Sequence, residues 1–549
     1  MRILVFSAAL AAASPLCAQL LEAPAFPSGA YFRRHFNTPV PRVELQNPVR
    51  HQDFVADGKL ELSLKNYMEL VLANNTDIEI QRLSVETPRN AITRASGIFD
   101  PTFLGRFAAT RTNSATTDVL AGAATLSQLS QPWNFNFQQT LSSGTILQGG
   151  FTGQKLSTNS QFQTFNPSFS TNLAFNFTQP LLRGRGREIT MLQISVARSR
   201  LRQSQYNLQD QILRILFQAE TVYWNAIEAR ENLRVQEQSL QLADAALKRA
   251  QRELDLGAAP QLDIYQPQAQ YANAEIFVTQ SRYRLAQIED QLRRQMGADL
   301  DPTIRLLPLV LTEQVGIPGN GGDIDKEATV TRAMSMRPDL RAANQAIDID
   351  DLNLRGARNA LLPNLSLGGG YTTTGRGGTF FPRQQGLTQT GVLARPIPGG
   401  IGDAFDQMFG FGLPIYNFSL TLNLPLRDRR AAADLADATV QRKRDMLVVR
   451  NTEQQIRLDI LNAINQVENS KASVRLAQIA RDLAQKRVEA EQKKYELGTS
   501  TIFFVLAAQN DLTLAESSLV TQSVGYRRAL LSLQQRTGEL LAERGVVLP

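Results

Sequence analysis

The sequence predicts an α+β membrane protein, in which copies of an internally duplicated chain share one transmembrane β-barrel that long coiled-coil helices continue. Three observations point there. From Thr112 to Leu182 the only charged residues are Asp118 and Lys155, and apolar residues alternate there with small polar ones. The runs Arg187–Leu256 and Leu426–Leu497 contain neither Gly nor Pro. The second half of the chain repeats the plan of the first.

The chain has 549 residues with 58 Lys and Arg against 51 Asp and Glu, a net charge of +7, and 43% hydrophobic residues. With a mean hydropathy of -0.22, neither a disordered chain nor a multipass helical membrane protein fits. The one cysteine, Cys17, and the two histidines, His35 and His51, all precede residue 52. Most thiol- or imidazole-based catalysis and transition-metal binding is thereby excluded from the bulk of the chain, and no cofactor is expected.

The N-terminus places Arg2 before an apolar run from Ile3 to Ala13 and ends at the small residue Ala18, the pattern of a signal peptide over 1–18. Cys17 either leaves with it or becomes a lipidated N-terminus, for which Leu16 is a poor preceding residue. No later stretch has about 18 consecutive apolar residues, so entry into a membrane requires a closed barrel. Residues 19–62, rich in Pro and aromatics without periodicity, read as an extended segment lying on the surface.

The first repeat covers 63–297. Leu64, Tyr67, Met68, Val71 and Leu72 recur at helical spacing. Strands follow within 102–182. Phe169, Thr171, Leu173, Phe175 and Phe177 alternate with Ser170, Asn172, Ala174 and Asn176, and Trp133, Phe135 and Phe137 with Asn134 and Asn136. A soluble sandwich strand also alternates, but its outer face normally carries Lys, Glu and Arg. A hairpin around Ser142–Thr145, from Trp133 to Leu156, reads either as an enlarged extracellular loop or as extra barrel strands. The helical hairpin 186–297 places Leu233, Leu240, Leu247 and Leu254 at intervals of seven, with Gln236, Ala243 and Ala250 between them, a coiled-coil seam.

A Pro- and Gly-rich linker over 298–327 joins the second repeat, 328–538. Its strands lie within 364–426, where Tyr416, Phe418, Leu420 and Leu422 alternate with Asn417, Ser419, Thr421 and Asn423; its helical hairpin is 427–538, and 539–549 is a tail. Gly257 and Gly297 match Gly498 and Gly538, while Leu256, Gln268, Ala274, Glu275 and Leu292 recur as Leu497, Gln509, Ala515, Glu516 and Leu533. Asn75-Thr76-Asp77-Ile78 aligns with Arg337-Pro338-Asp339-Leu340. Four to six strands cannot close a barrel with a useful lumen, so several copies must share one, with cyclic symmetry.

The duplicated plan, the helix from Leu64 with Asn75-Thr76-Asp77, the strand exit Thr178-Gln179-Pro180-Leu181-Leu182 and the turn Tyr495-Glu496-Leu497-Gly498-Thr499 together resemble the outer-membrane factor family, the TolC-type efflux and secretion channels. The likeness covers nearly the whole chain after residue 60. It implies a homotrimer with a twelve-stranded outer-membrane barrel and a long periplasmic helical tunnel, passively conducting substrates in a tripartite efflux pump or type I secretion system. The implied partners are a periplasmic adaptor (membrane fusion) protein, an inner-membrane transporter reached through it, and outer-membrane lipid.

In that family the two helical turns form the tip on which the adaptor docks; the matching residues are Leu256, Gly257 and Ala258, and Leu497, Gly498 and Thr499. The periplasmic gate maps to Asp263, Tyr495, Phe503 and Phe504. Where the family often has an Asp pair and a turn Arg, this chain has Phe504, Ala507 and Ser500. The carboxylate ring is missing, which puts cation selectivity of the family kind in doubt. Phe503 and Phe504 offer an apolar constriction or ordinary coil packing, and Asp263 is placed to accept a hydrogen bond from Tyr495.

Other readings explain less. Arg residues are strewn among Glu and Asp with no basic cluster, which disfavours nucleic acid. Asp348, Asp350 and Asp351 lack the Gly and Glu of a calcium loop, and Gly368–Gly370 lacks the Lys of a phosphate loop. An enzyme has no catalytic constellation to draw on. A soluble periplasmic adaptor or coiled-coil scaffold is the alternative, yet it needs only one helical hairpin and a strand-rich part with charged faces.

Overall fold

The computed structural model describes residues 40, 49–115, 124–160, 163–257, 260–316, 324–382 and 395–545. The chain divides into Met1–Gln46 and Asn47–Pro549, and the second unit is described below. The predicted signal peptide, Cys17 and most of the segment 19–62 lie outside the described residues.

Residues 49–59, toward the end of that segment, are all at least partly exposed. A 3-10 turn leads into β1 (Val55–Ala56) and β2 (Lys59–Leu62), whose Leu60 and Leu62 are fully buried. Three short helices follow: α1 (Leu64–Asn74), α2 (Thr76–Leu83) and α3 (Glu86–Ser96). Ser63 caps α1 by accepting the Asn66 N–H at 3.2 Å. Asn75 caps α2 by accepting the N–H groups of Asp77 and Ile78 at 2.9 and 3.2 Å. The same Asn75 donates to the Gln295 carbonyl at 2.8 Å, so one side chain ends a turn and ties it to a helix 220 residues on.

The first strands are β3 (Thr102–Phe107), β4 (Thr110–Ala115), β5 (Thr125–Thr140), β6 (Ile146–Thr158) and β7 (Phe165–Pro180). Then comes α4 (Leu192–Asp255), whose 64 residues span about 96 Å at the helical rise. It folds back on α5 (Tyr265–Gln295), with Ala243 and Ala250 buried between the predicted seam leucines. In the linker β8 (Leu309–Leu311) pairs in parallel with β2, so the strand order of the small sheet is β1-β2-β8. The second half runs α6 (Lys326–Met336), α7 (Pro338–Ala360), β9 (Asn364–Phe380), α8 (Ile401–Phe409), β10 (Pro414–Asn423), α9 (Arg429–Glu496) and α10 (Ile502–Thr537). Gly368–Gly370 sits inside β9, and the Asp348–Asp351 group on α7. No helix among the described residues is long and apolar enough to cross a membrane.

The main core lies at the waist. Tyr67, Leu70, Val71 and Ile78 pack with Ile212, Leu216, Tyr223 and Ile227 of α4, Leu292 and Met296 behind α5, and β2. Tyr67 and Tyr223 stack at 5.4 Å, and the Tyr223 hydroxyl donates to the Leu62 carbonyl at 3.0 Å. A second cluster, Val330, Ala333, Leu340, Ile456, Ile460 and Ile464, joins α6 and α7 to α9.

The large sheet is antiparallel throughout, in the order β10-β9-β7-β6-β5-β3, with β4 following β3 along the same edge of β5. The Ser142–Thr145 turn therefore links full members of the sheet. It lies at the helical end, where Gly186 N–H donates to the Ser143 carbonyl at 3.3 Å, so the extracellular-loop reading is corrected. Among the described residues, six strand positions also exceed the four per copy that a twelve-stranded trimer implies. α8 rests on this sheet: the hydroxyls of Thr171 and Thr373 donate to the Ala404 and Met408 carbonyls at 3.0 and 2.9 Å.

Asp350 on α7 is 7% exposed. Burial first, then the Asp445 carboxyl of α9 and Asp351, raise its pKa from 3.8 to about 6, with Arg442 opposing. A group raised in the folded state stabilises most when protonated, and that contribution is lost as pH rises through about 6. The wild type should therefore melt lower at pH 8 than at pH 5, and Asp350→Asn should reduce that difference; equal pH dependence in both proteins would refute the assignment.

Candidate functional site

Two features stand out: the tip, where both long helices turn, and the two-faced sheet at the other end. At the tip α4 stops because Gly257 takes φ +72 and α9 because Gly498 takes φ +73. The Gly257 N–H donates to the Leu254 carbonyl and the Gly498 N–H to the Tyr495 carbonyl, both at 2.9 Å. At the second turn the Thr499 N–H also reaches back to the Lys494 carbonyl at 2.9 Å, closing a Schellman-type cap. Neither glycine has anything within 4 Å of a would-be Cβ, so backbone conformation, not space, selects Gly here. Leu256 and Leu497 project outward, 83% and 79% exposed. Ala258 lies outside the described residues.

Tyr495 does not bond Asp263. Its hydroxyl donates to Glu253 Oε2 of α4 at 2.9 Å, and the Arg249 guanidinium lies 4.8 Å over its ring while Arg249 Nε also holds Glu253 at 2.9 Å. Asp263 sits instead in an exposed 3-10 turn beyond the tip. Glu253 wins because it lies on the last turns of α4, alongside the last turn of α9. Burial and then the Glu253 bond raise the Tyr495 phenol above its ordinary value, with Arg249 opposing, so it remains a neutral donor. Arg249 and Glu253 were missed in the sequence, although their i, i+4 spacing beside the turn was a usable signal.

Phe503 and Phe504 meet edge to face at 5.5 Å and remain 53% and 51% exposed. Packing inside the hairpin is done by Val488, Ala508 and Leu512 instead. The Ser500 hydroxyl donates to Glu491 Oε2 at 3.2 Å.

The sheet sorts its residues by face. One paired row crosses all six strands as Phe103, Phe137, Gly149, Phe175, Tyr371 and Tyr416. The adjacent row, on the opposite face, reads Thr102, Gln138, Gln148, Asn176, Gly370 and Asn417. An apolar aromatic face opposite a small, uncharged polar face suits hydrocarbon on one side and water on the other. Both outer edges are open: every residue of β3, β4 and β10 is exposed, with Phe103 at 72% and Phe418 at 78%.

A sheet of this kind joined to two long helical hairpins defines an outer-membrane channel protein. The family model of the outer membrane efflux protein matches residues 145–298 and 329–539, more than half of the chain, and the chain belongs to that family. Its place is the cell outer membrane. It is 22% identical over 354 residues to the outer membrane efflux protein BepC of Brucella suis, covering 64% of this chain and 69% of that protein. Its fold is shared with CusC, at TM-score 0.60 and 15% identity over 91% of this chain and 99% of CusC. The Campylobacter jejuni CmeC outer membrane channel matches at TM-score 0.59 and 14% identity, over 92% of this chain and 94% of that one.

Gly257→Ala and Gly498→Ala should each cost about 1 kcal/mol at the tip, because a Cβ disfavours positive φ. Hydrogen exchange should speed up at Gly257 or Gly498 and their neighbours while Tyr223 at the waist is unchanged; equal protection at the tip would contradict the cap geometry.

Proposed function

We propose that three copies of this chain join through their open sheet edges into one transmembrane barrel, continued by their hairpins as a periplasmic helical tunnel. The paired rows carry this reading, because their apolar face calls for lipid and their unpaired edges call for further strands. The alternative of a soluble adaptor or scaffold is not favoured, since it would present that aromatic face to water. The duplicated arrangement gives each copy two hairpins, and so two turns at the tunnel end.

The channel conducts passively, as the outer component of a tripartite efflux pump or type I secretion system. A periplasmic adaptor docks on the tip formed by Leu256, Gly257, Ala258, Leu497, Gly498 and Thr499, where exposed leucines and helix-end carbonyls offer apolar and hydrogen-bonding contact. Through the adaptor an inner-membrane transporter supplies the energy and selects the cargo. The names of BepC and CmeC, an outer membrane efflux protein and an outer membrane channel, support this reading.

The gate combines two elements. Phe503 and Phe504, exposed on their own chain, form an apolar constriction that resists hydration when copies converge. Tyr495 bonded to Glu253 latches α9 to α4, while Asp263 supplies a carboxylate at the rim.

The particle extracted from outer membranes in mild detergent should have a protein mass of three chains by light scattering; a water-soluble monomer or dimer would refute the channel. Tyr495→Phe removes a hydrogen bond to a carboxylate, of a kind worth about 1.5–3 kcal/mol when buried and less at this half-exposed site. Its conductance in planar bilayers should exceed that of the wild type, and an unchanged conductance would remove the latch.

A further inference from the structure

The resemblance carries a barrel of twelve strands, four from each of three copies. The described residues of this chain offer six strand positions. We infer that β3, β4 and β5 belong to the membrane wall, so that three copies, each with six strand positions, close an eighteen-stranded barrel in which β10 of one copy pairs with β3 and β4 of the next. The inference rests on the trimeric channel proposed above and changes the size of its pore.

Four observations carry it. First, β5 and β6 pair without a break from Gln128 with Thr158 to Thr140 with Ile146, and β6 pairs as continuously with β7 from Ile146 with Thr178 to Leu156 with Ser168. Such a ladder is a wall and not a ribbon attached at one point. Second, the faces do not change along it. Phe135 stands between Gly105 and Phe151 in the row that continues to Leu173 on β7, and its ring lies 6.1 Å from both Phe103 and Phe151. Phe135, Phe137 and Phe177 are each 40% exposed, so the added strands present the same half-open aromatic surface as β7. On β5 and β6 this face carries one charge, Lys155, at the end away from the helices and over the Phe169 ring at 5.9 Å; the aromatic stretch nearer the helices is uncharged, as a lipid-facing band requires.

Third, the turn between β5 and β6 is bonded into the helical end of the sheet. Besides the Gly186–Ser143 bond, the Thr145 hydroxyl contacts the Gln179 side chain at the exit of β7. The hairpin thus spans the full height of the sheet. Fourth, the family-model match begins at residue 145. It contains β6, β7, β9 and β10 and begins after β3 to β5. The outermost position has become β3 and β4, whose residues are all exposed, as a seam for a neighbouring copy requires.

Barrel diameter grows roughly linearly with strand number, so eighteen strands give a wall about one and a half times as wide as twelve. Each copy still supplies only two helical hairpins, which leaves the narrow point of the conduit at the helical end.

Trp133 on β5 is a built-in reporter, since the chain has only two tryptophans and the other, Trp224, is buried at the waist. In full-length Trp224→Phe protein reconstituted into phosphatidylcholine vesicles, Trp133 fluorescence should be quenched by brominated acyl chains. Its loss should match that of a reference tryptophan on β7, introduced as Phe175→Trp with Trp133→Phe and Trp224→Phe. Quenching of the reference but not of Trp133 would overturn the enlarged wall and leave the three-copy channel standing, whereas quenching of neither would remove the channel itself. Electron cryomicroscopy of the wild-type particle needs no substitution. Eighteen wall strands support the inference, twelve overturn it alone, and the absence of a closed wall removes the reading beneath it.

Discussion

A strand edge cannot stay open in hydrocarbon, where no water is present to take its N–H and C=O groups, and the architecture depends on that constraint. One copy leaves β10 and β3 with β4 unpaired at opposite ends of the large sheet. As a membrane structure the sheet therefore needs further strands at those edges, which the proposed assembly of copies would supply. The alternation of aromatic and small polar residues then decides which side faces lipid, because a single register shift would reverse every side chain.

Below the sheet the problem changes from edges to length. A helix of 64 or 68 residues has little intrinsic reason to stay straight and placed, and most of its stability comes from packing. The waist supplies it. Tyr67, Tyr223 and the buried leucines of β2 grip α4, and the Arg544 guanidinium holds the almost fully buried Glu220 of α4 from the far end of the chain. Arg528 of α10 reaches Glu228 and Asn225 of α4 at 3.0 and 2.8 Å, so the two hairpins are tied side by side. Toward the tip the buried side chains are smaller and more scattered, among them Ala243, Ala250, Ile264, Val488, Val505, Leu506, Ala508 and Leu512. Most of the largest fully buried side chains gather instead at the waist.

The gate proposed at the tip would work by different chemistry from a charged ring. A ring of carboxylates controls passage by charge; a Phe pair would do so by the cost of wetting an apolar neck. Keeping Tyr495 neutral and bonded to Glu253 gives the latch a hydrogen bond instead of an ion pair, which responds less to salt than exposed charges would.

Much of the fold was legible because its signals are periodic. Alternation announced β5, β7 and β10; the Gly- and Pro-free runs announced α4 and α9; Gly257 and Gly498 marked where they end, since only positive φ was needed there. What the sequence could not give is whatever depends on residues far apart meeting in register. The linker strand β8 lies beside β2 because Leu60, Leu62 and Leu311 share one core, although 250 residues separate them. Tyr495 chose Glu253 over Asp263 because the helix ends are aligned in space, and the turn at Ser142–Thr145 became part of the wall because β6 found β7 along its full length. The sequence by itself determined the periods, the caps and the two kinds of surface, which are local properties of the chain. Only the tertiary structure decided register, strand count and the latch, because these arise from pairing between segments whose separation the local pattern does not encode.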